Sequence, residues 1–82
     1  MKIQIAGPGC VRCQATEKIV HQVCADLNLQ ADIEHVYDMM EYIKLGVRLT
    51  PAVLVDGKVV VSGRVPGVEE LKKILSDYEE NR

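Results

Sequence analysis

Two cysteines stand three positions apart in the stretch Gly9-Cys10-Val11-Arg12-Cys13. The stretch falls where an apolar run, Ile3 to Ala6, passes through Gly7-Pro8-Gly9 into a long segment free of proline and glycine. At a strand-to-helix junction, this spacing supports redox chemistry. Cys10 sits at the helix mouth, where free backbone N–H groups and the positive end of the helix dipole favour a thiolate. Cys13 lies one turn further in, close enough for its sulfur to close a disulfide with Cys10. Arg12 adds a fixed positive charge that also favours the thiolate. The pair reads as a redox dithiol, with Cys10 attacking and Cys13 resolving.

Two other readings share the motif. A Cys-x-x-Cys pair can be half of a zinc site or a copper-binding loop. Zinc takes about four ligands, and outside the pair the chain offers only Cys24, His21 and His35 as cysteine or histidine ligands. Alternatively, both cysteines are inert fillers.

The elements around the motif follow from periodicity. Lys2 to Ala6 suits a central strand, and Gly7-Pro8-Gly9 turns the backbone tightly into a helix running from Val11 to about Asn28. At about 100° per residue, Thr16, Val20, Val23 and Leu27 share a face flanked by Cys13, Ile19 and Cys24. Arg12, Gln14, Lys18, His21 and Gln22 lie elsewhere. This register turns Cys13 to the core and leaves Cys10 at the exposed helix end. Cys24 is about 16 Å beyond Cys13 along the axis at 1.5 Å per residue. That is too far for a disulfide, so Cys24 reads as a small apolar core residue. His21 reads as a solvated histidine, and His35 belongs to a different element.

Ala31 to Val36 alternates like a strand with one covered face. Asp38 can cap a short helix, Met39 to Leu45, ended by Gly46 and packed through Met39, Tyr42 and Ile43. Thr50-Pro51 precedes Ala52-Val53-Leu54-Val55, then Asp56-Gly57, then Lys58-Val59-Val60-Val61. Asp-Gly between two β-branched runs signals a hairpin, and Pro51 suits the first position of a strand. Pro66 fits an early position of a last helix whose stripe is Val68, Leu71, Ile74, Leu75 and Tyr78. Glu79 to Arg82 reads as a frayed, solvated end.

Composition narrows the functional classes. The 82 residues, 48% apolar and 27% charged, are expected to form one folded domain over 1–82. A net charge of −2, with no basic block, tryptophan or phenylalanine, argues against nucleic acid and against a membrane surface. No apolar run approaches the roughly 20 residues that span a bilayer, and Met1-Lys2 leads straight into the first strand with no secretory leader. Three cysteines are too few for a secreted disulfide scaffold. A reducing cytoplasm is the expected setting.

The order strand, helix, strand, helix, hairpin, helix, with Cys-x-x-Cys after the first strand and Thr-Pro opening the hairpin, resembles the thioredoxin/glutaredoxin superfamily. The resemblance covers essentially the whole chain. Gly46-Val47-Arg48-Leu49-Thr50-Pro51-Ala52 followed by Val53-Leu54-Val55-Asp56-Gly57 is similar to the segment that holds thioredoxin's cis-proline. The short length and the Gly-Pro-Gly-Cys lead-in are most like the small redox-active disulfide proteins of archaea and bacteria. The implied architecture is a minimal thioredoxin-like α/β fold, β-α-β-α-β-β-α, with a four-stranded mixed sheet flanked by helices. The resemblance also implies Cys10 as nucleophile, Cys13 as resolving cysteine and a cis Thr50–Pro51 bond facing them. Thr50 and Pro51 then hold an extended substrate segment, with Gly9 and Arg12 in support. No resident metal or cofactor is implied beyond the Cys10–Cys13 disulfide itself. The expected substrates are disulfide-bearing proteins or small thiols, the expected electron donor is a reductase or glutathione, and a monomer is expected.

The chain also departs from the families it resembles. No tryptophan precedes Cys10, and the first strand has no aspartate to serve the resolving cysteine's proton transfer. Val11-Arg12 matches neither Gly-Pro of thioredoxin nor Pro-Tyr of glutaredoxin, and Ser62-Gly63 only partly echoes glutaredoxin's glutathione-binding Gly-Gly. Two alternatives to an oxidoreductase have the same motif. A copper or zinc carrier of the heavy-metal-associated type usually has methionine where this chain has Pro8, and ends on a strand. A redox-sensing adaptor would bind partners with little turnover.

Overall fold

Along β1 (Lys2–Ala6) successive side chains point to opposite sides of the sheet, and from Ile3 onward both sides are buried. A strand covered on both faces must be central, and the rest of the chain is arranged to cover it. The computed structural model describes residues 1–80, in the order β1, α1 (Val11–Asp26), β2 (Asp32–Val36), α2 (Met39–Lys44), β3 (Ala52–Val55), β4 (Lys58–Ser62) and α3 (Val68–Glu80). The chain is α/β with a four-stranded mixed sheet in the order β2-β1-β3-β4. β1 and β2 are parallel, so they need a crossover, and α1 supplies it. β3 runs antiparallel to β1, and β4 antiparallel to β3.

The pleat sorts the apolar residues into two layers. On one face Ile3, Ile5, Val53, Val55 and Val61 meet Val20, Val23 and Cys24 of α1 and Leu71 and Leu75 of α3. On the other, Ala6, Val36, Ala52 and Leu54 meet Tyr42 of α2 and Val47 of the loop that follows it. Every residue of β3 is buried because it pairs on both edges and is covered on both faces, which is why Ala52-Val53-Leu54-Val55 is continuously apolar. Leu71 and Leu75 are fully buried, and each side chain contributes about 1.5–3 kcal/mol by leaving water. Val68, Ile74 and Tyr78 complete the stripe as partly buried neighbours of that core.

The hairpin forms where Asp-Gly requires it. Asp56 and Gly57 have φ of 49° and 87°, the left-handed pair of a two-residue turn whose twist matches the strands. Asp56 also accepts a hydrogen bond from the Lys2 backbone N–H through Oδ1 (2.8 Å).

Several boundaries and one packing assignment differ from the sequence reading. α1 ends at Asp26, two residues short of Asn28, which has φ of 52° and begins the turn to β2. Pro51 is buried immediately ahead of β3 rather than being its first residue. Pro66 lies two residues ahead of α3, because the Gly67 carbonyl accepts the first helical bond from the Leu71 N–H (3.0 Å). Met39 and Ile43 are not core residues: they are 57% and 53% exposed, and only Tyr42 of α2 is buried. Six helical residues make less than two turns, which leaves room for one large inward side chain, and Val47 of the following loop joins Tyr42 in that core. Met39 and Ile43 instead border an open groove of about 530 Å3 with Tyr42, Gly46, Val47 and Thr50. At the far end, Glu79 and Glu80 belong to α3, whereas Asn81 and Arg82, expected to fray with them, lie outside the described residues.

Candidate active site

The turn Gly7-Pro8-Gly9 delivers Cys10 to the N-cap position of α1, where its backbone is extended (φ −70°, ψ 174°) and its carbonyl accepts the helix's first bond from the Gln14 N–H (2.9 Å). No side chain caps this end, so the N–H groups of the first turn are open to the Cys10 sulfur. Cys10 is exposed and Cys13, on the inward face of the first turn, is fully buried. Their sulfurs are 3.1 Å apart, a thiol–thiol contact in which either can donate.

The two thiols are pushed in opposite directions. The contact from Cys13 is the largest influence holding Cys10 below the ordinary thiol range, followed by the Cys13 backbone N–H and, more weakly, the Arg12 N–H. Burial pushes Cys13 up, and its contact with Cys10 pushes it further the same way. Arg12 thus lowers Cys10 through its backbone N–H. Cys24, also pushed up by burial, is packed in the α1–α3 core. His21 is exposed. Among the described residues, no three His, Cys, Asp or Glu side chains converge as a metal-binding group.

Gly7 forms the floor under Cys13. A Cβ built on Gly7 would stand 2.3 Å from Cys13 Sγ, so the sulfur rests directly on the glycine backbone. The same point is 3.6 Å from Thr50 Cβ. The loop before β3 thus comes close to Gly7 and the dithiol at Thr50, and the Thr50–Pro51 bond is cis. Pro51 in turn is tied to the hairpin, its carbonyl accepting from the Gly63 N–H (2.9 Å). Gly9, with φ of 88°, carries the turn into the helix, and its carbonyl accepts from Gln14 Nε2 (3.1 Å).

A second set of residues at the site was not anticipated from sequence. His35, at the end of β2, sends its ring across to α1 and the Gly7 turn: Nδ1 is 2.6 Å from Glu17 Oε1 and Nε2 is 3.2 Å from the Gly7 carbonyl oxygen. Tyr37 stacks on the ring, with centroids 3.9 Å apart and planes 2° from parallel. Tyr37 also lies beneath Gly9, whose Cβ would come within 3.1 Å of Tyr37 Cε1. A signal existed. His35 shares the face of Ile33, the side that α1 covers, and Glu17 follows Cys13 by one helical turn. On the opposite face Gln4, only 7% exposed, donates from Nε2 to Glu34 Oε1 (3.1 Å). Gln4 is thus the polar residue that the first strand buries.

Comparison with known proteins agrees with the geometry. The family model of the thioredoxin domain matches residues 1–76. A protein named thioredoxin from Methanothermobacter thermautotrophicus is 41% identical over 76 residues, covering 93% of this chain and 99% of the relative. Another, also named thioredoxin, from Methanocaldococcus jannaschii is 38% identical over 80 residues, covering 98% of this chain and 92% of the relative.

Proposed function

The chain belongs to the thioredoxin-domain family, and from that premise we propose that it is a thiol–disulfide oxidoreductase in which Cys10 attacks and Cys13 resolves. The observation that carries this reading is the inequality of two sulfurs 3.1 Å apart: one exposed and held low, the other buried and held high. The Cys10 thiolate attacks one sulfur of a substrate disulfide, forming a mixed disulfide and expelling the other substrate sulfur as a thiolate. Cys13, losing its proton, attacks Cys10 Sγ, and the second substrate sulfur leaves. The substrate gains two electrons, and the cysteine pair gives them up as its own disulfide. No further cofactor enters the cycle.

Thr50 and Pro51 are the residues proposed to receive the substrate segment, since their loop borders the floor of the dithiol. Gly9 and Arg12 support Cys10, the first by shaping the turn and the second through its N–H. Substrates are disulfide-bearing proteins or small disulfides, and a reductase or glutathione returns the electrons. The protein acts as a monomer in the cytoplasm. Among the described residues, no helix is long and apolar enough to cross a membrane.

A trapping experiment tests the reading. Cys13→Ser keeps the attacking thiol and removes the resolving one, so incubation with a disulfide-bonded peptide should leave a stable adduct on Cys10, detected by mass spectrometry. Cys10→Ser should give no adduct and no peptide reduction. Absence of any Cys10 adduct, together with tight copper or zinc binding by the wild type, would establish a metal carrier instead. A wild type that forms the adduct but completes no more than one turnover with reductant present would be an adaptor.

A further inference from the structure

The His35 ring is 8% exposed and occupies both of its nitrogens at once, one on α1 and one on the turn that supports Cys13. A carbonyl oxygen can only accept, so Nε2 carries a proton and donates it to Gly7. Glu17 against Nδ1 and Tyr37 stacked on the ring leave the imidazole little freedom to rotate. The other end of Gly7 is also held, its N–H donating to the Val36 carbonyl (3.0 Å). β2 therefore grips the Gly7 residue from both sides, with its backbone on one and its histidine on the other.

We propose that His35 is a positioning residue for the resolving step. Its Nε2–H fixes the Gly7 carbonyl, and Gly7 in turn fixes Cys13 Sγ at attacking distance from Cys10. The proposal rests on the dithiol reading above and adds a residue to it. The two halves of the exchange differ in what they need. Cys10 attacks from an exposed helix end that does not rest on Gly7, whereas Cys13 must approach Cys10 Sγ in line with the bond it breaks. A displaced floor penalises only the second half. Small misplacements of reacting groups slow such steps by factors up to about 100.

Two isosteric substitutions separate this role from a structural one. In glutamine the amide nitrogen takes the place of Nε2, and in asparagine it takes the place of Nδ1. His35→Gln keeps a donor for Gly7, and His35→Asn keeps one for Glu17 only. Stopped-flow mixing with an excess of a fluorescent disulfide peptide, followed by acid quench and mass spectrometry, reads the formation and decay of the mixed disulfide separately. His35→Asn should prolong its decay on the order of tenfold without changing its formation, and His35→Gln should restore most of the wild-type decay. Glu17→Ala, at a side chain 37% exposed, leaves the fold intact while freeing the ring, and should prolong decay by a smaller factor.

Equal slowing in His35→Asn and His35→Gln, tracking their loss of denaturation stability, would mean that the ring is structural and would overturn the proposal. So would wild-type decay in His35→Asn. A wild type that forms no mixed disulfide at all removes the oxidoreductase reading and this inference together, whereas a wild type that cycles normally beside an unaffected His35→Asn removes the inference alone.

Discussion

Cys13 Sγ rests on the Gly7 backbone so closely that a single added carbon at residue 7 would overlap it, at 2.3 Å. This contact couples the end of β1 to the buried half of the dithiol. Gly7→Ala must push the Cys13 side chain aside or shift the turn, an overpacking that costs typically about 1–3 kcal/mol. The expected outcome is a folded protein of reduced denaturant midpoint whose Cys10 still alkylates but whose mixed disulfide persists. Wild-type resolution in Gly7→Ala would show that Cys13 attacks from another position.

A second prediction concerns the pH profile of alkylation. Cys10 is held below the ordinary thiol value of 9.0 by Cys13 and by backbone N–H groups, while Cys13 and Cys24 are held above it. Brief iodoacetamide treatment near neutral pH should therefore label Cys10 first, with half-maximal rate at lower pH than for a free thiol. Cys13→Ser keeps a hydrogen-bonding hydroxyl, whereas Cys13→Ala removes the largest of the lowering contacts. The Cys10 profile should accordingly move to higher pH in Cys13→Ala. In stability terms, a depressed thiol contributes above its unfolded value and loses that contribution as pH falls through its folded one. Peptide mapping that finds Cys13 labelled ahead of Cys10 refutes the assignment.

How much of this was legible in the chain depends on the range of the interaction. Asp56-Gly57 names its own turn and Cys10-x-x-Cys13 its own helical spacing, because each is fixed by adjacent residues. The partners of Gly7 are not adjacent. His35 reaches it from 28 positions away, through the parallel register that pairs Ile5 with His35, and no local pattern reports that register. Met39 and Ile43 failed for a different reason. A helix under two turns long has too few residues for its periodicity to select a face.

The start of α3 gives a prediction away from the dithiol. Glu70 pairs with Arg64 through both carboxylate oxygens and also accepts from the Gly67 N–H (3.3 Å), the reciprocal half of a capping box. Chiefly through the Arg64 hydrogen bonds, its carboxyl is lowered from 4.5 to about 2. A depressed carboxyl stabilises the fold above its unfolded value and loses that contribution as pH falls toward its folded one. The stability difference between wild type and Glu70→Gln should therefore be constant above about 4.5 and shrink between there and about 2. Chemical denaturation at several pH values measures it. A difference that does not vary with pH would show that the Arg64 pair contributes nothing through ionisation.

The last prediction uses the third cysteine to separate stability from chemistry. Cys24 is 6% exposed and sits in the layer between the sheet and α1 and α3, with Val20, Val23, Leu71 and Leu75 among its cluster. Its thiol is pushed up by burial, so at neutral pH it is protonated and a poor nucleophile. Cys24→Ser replaces the sulfur with a hydroxyl of greater polarity, at a cost on the order of 1–3 kcal/mol where no partner is supplied. Cys24→Ala keeps the site apolar and gives up only a small volume, so it should be the milder change. Leu75→Ala, in the same cluster, should cost about 2–5 kcal/mol by leaving a cavity. All three variants should retain the wild-type rates of mixed-disulfide formation and decay below their unfolding transitions, because none touches Gly7, Cys10 or Cys13. Denaturant midpoints and exchange rates measured on the same samples decide the matter. A Cys24→Ser protein that is as stable as wild type but slow in exchange would give Cys24 a place in the electron path and require the two-cysteine mechanism to be redrawn.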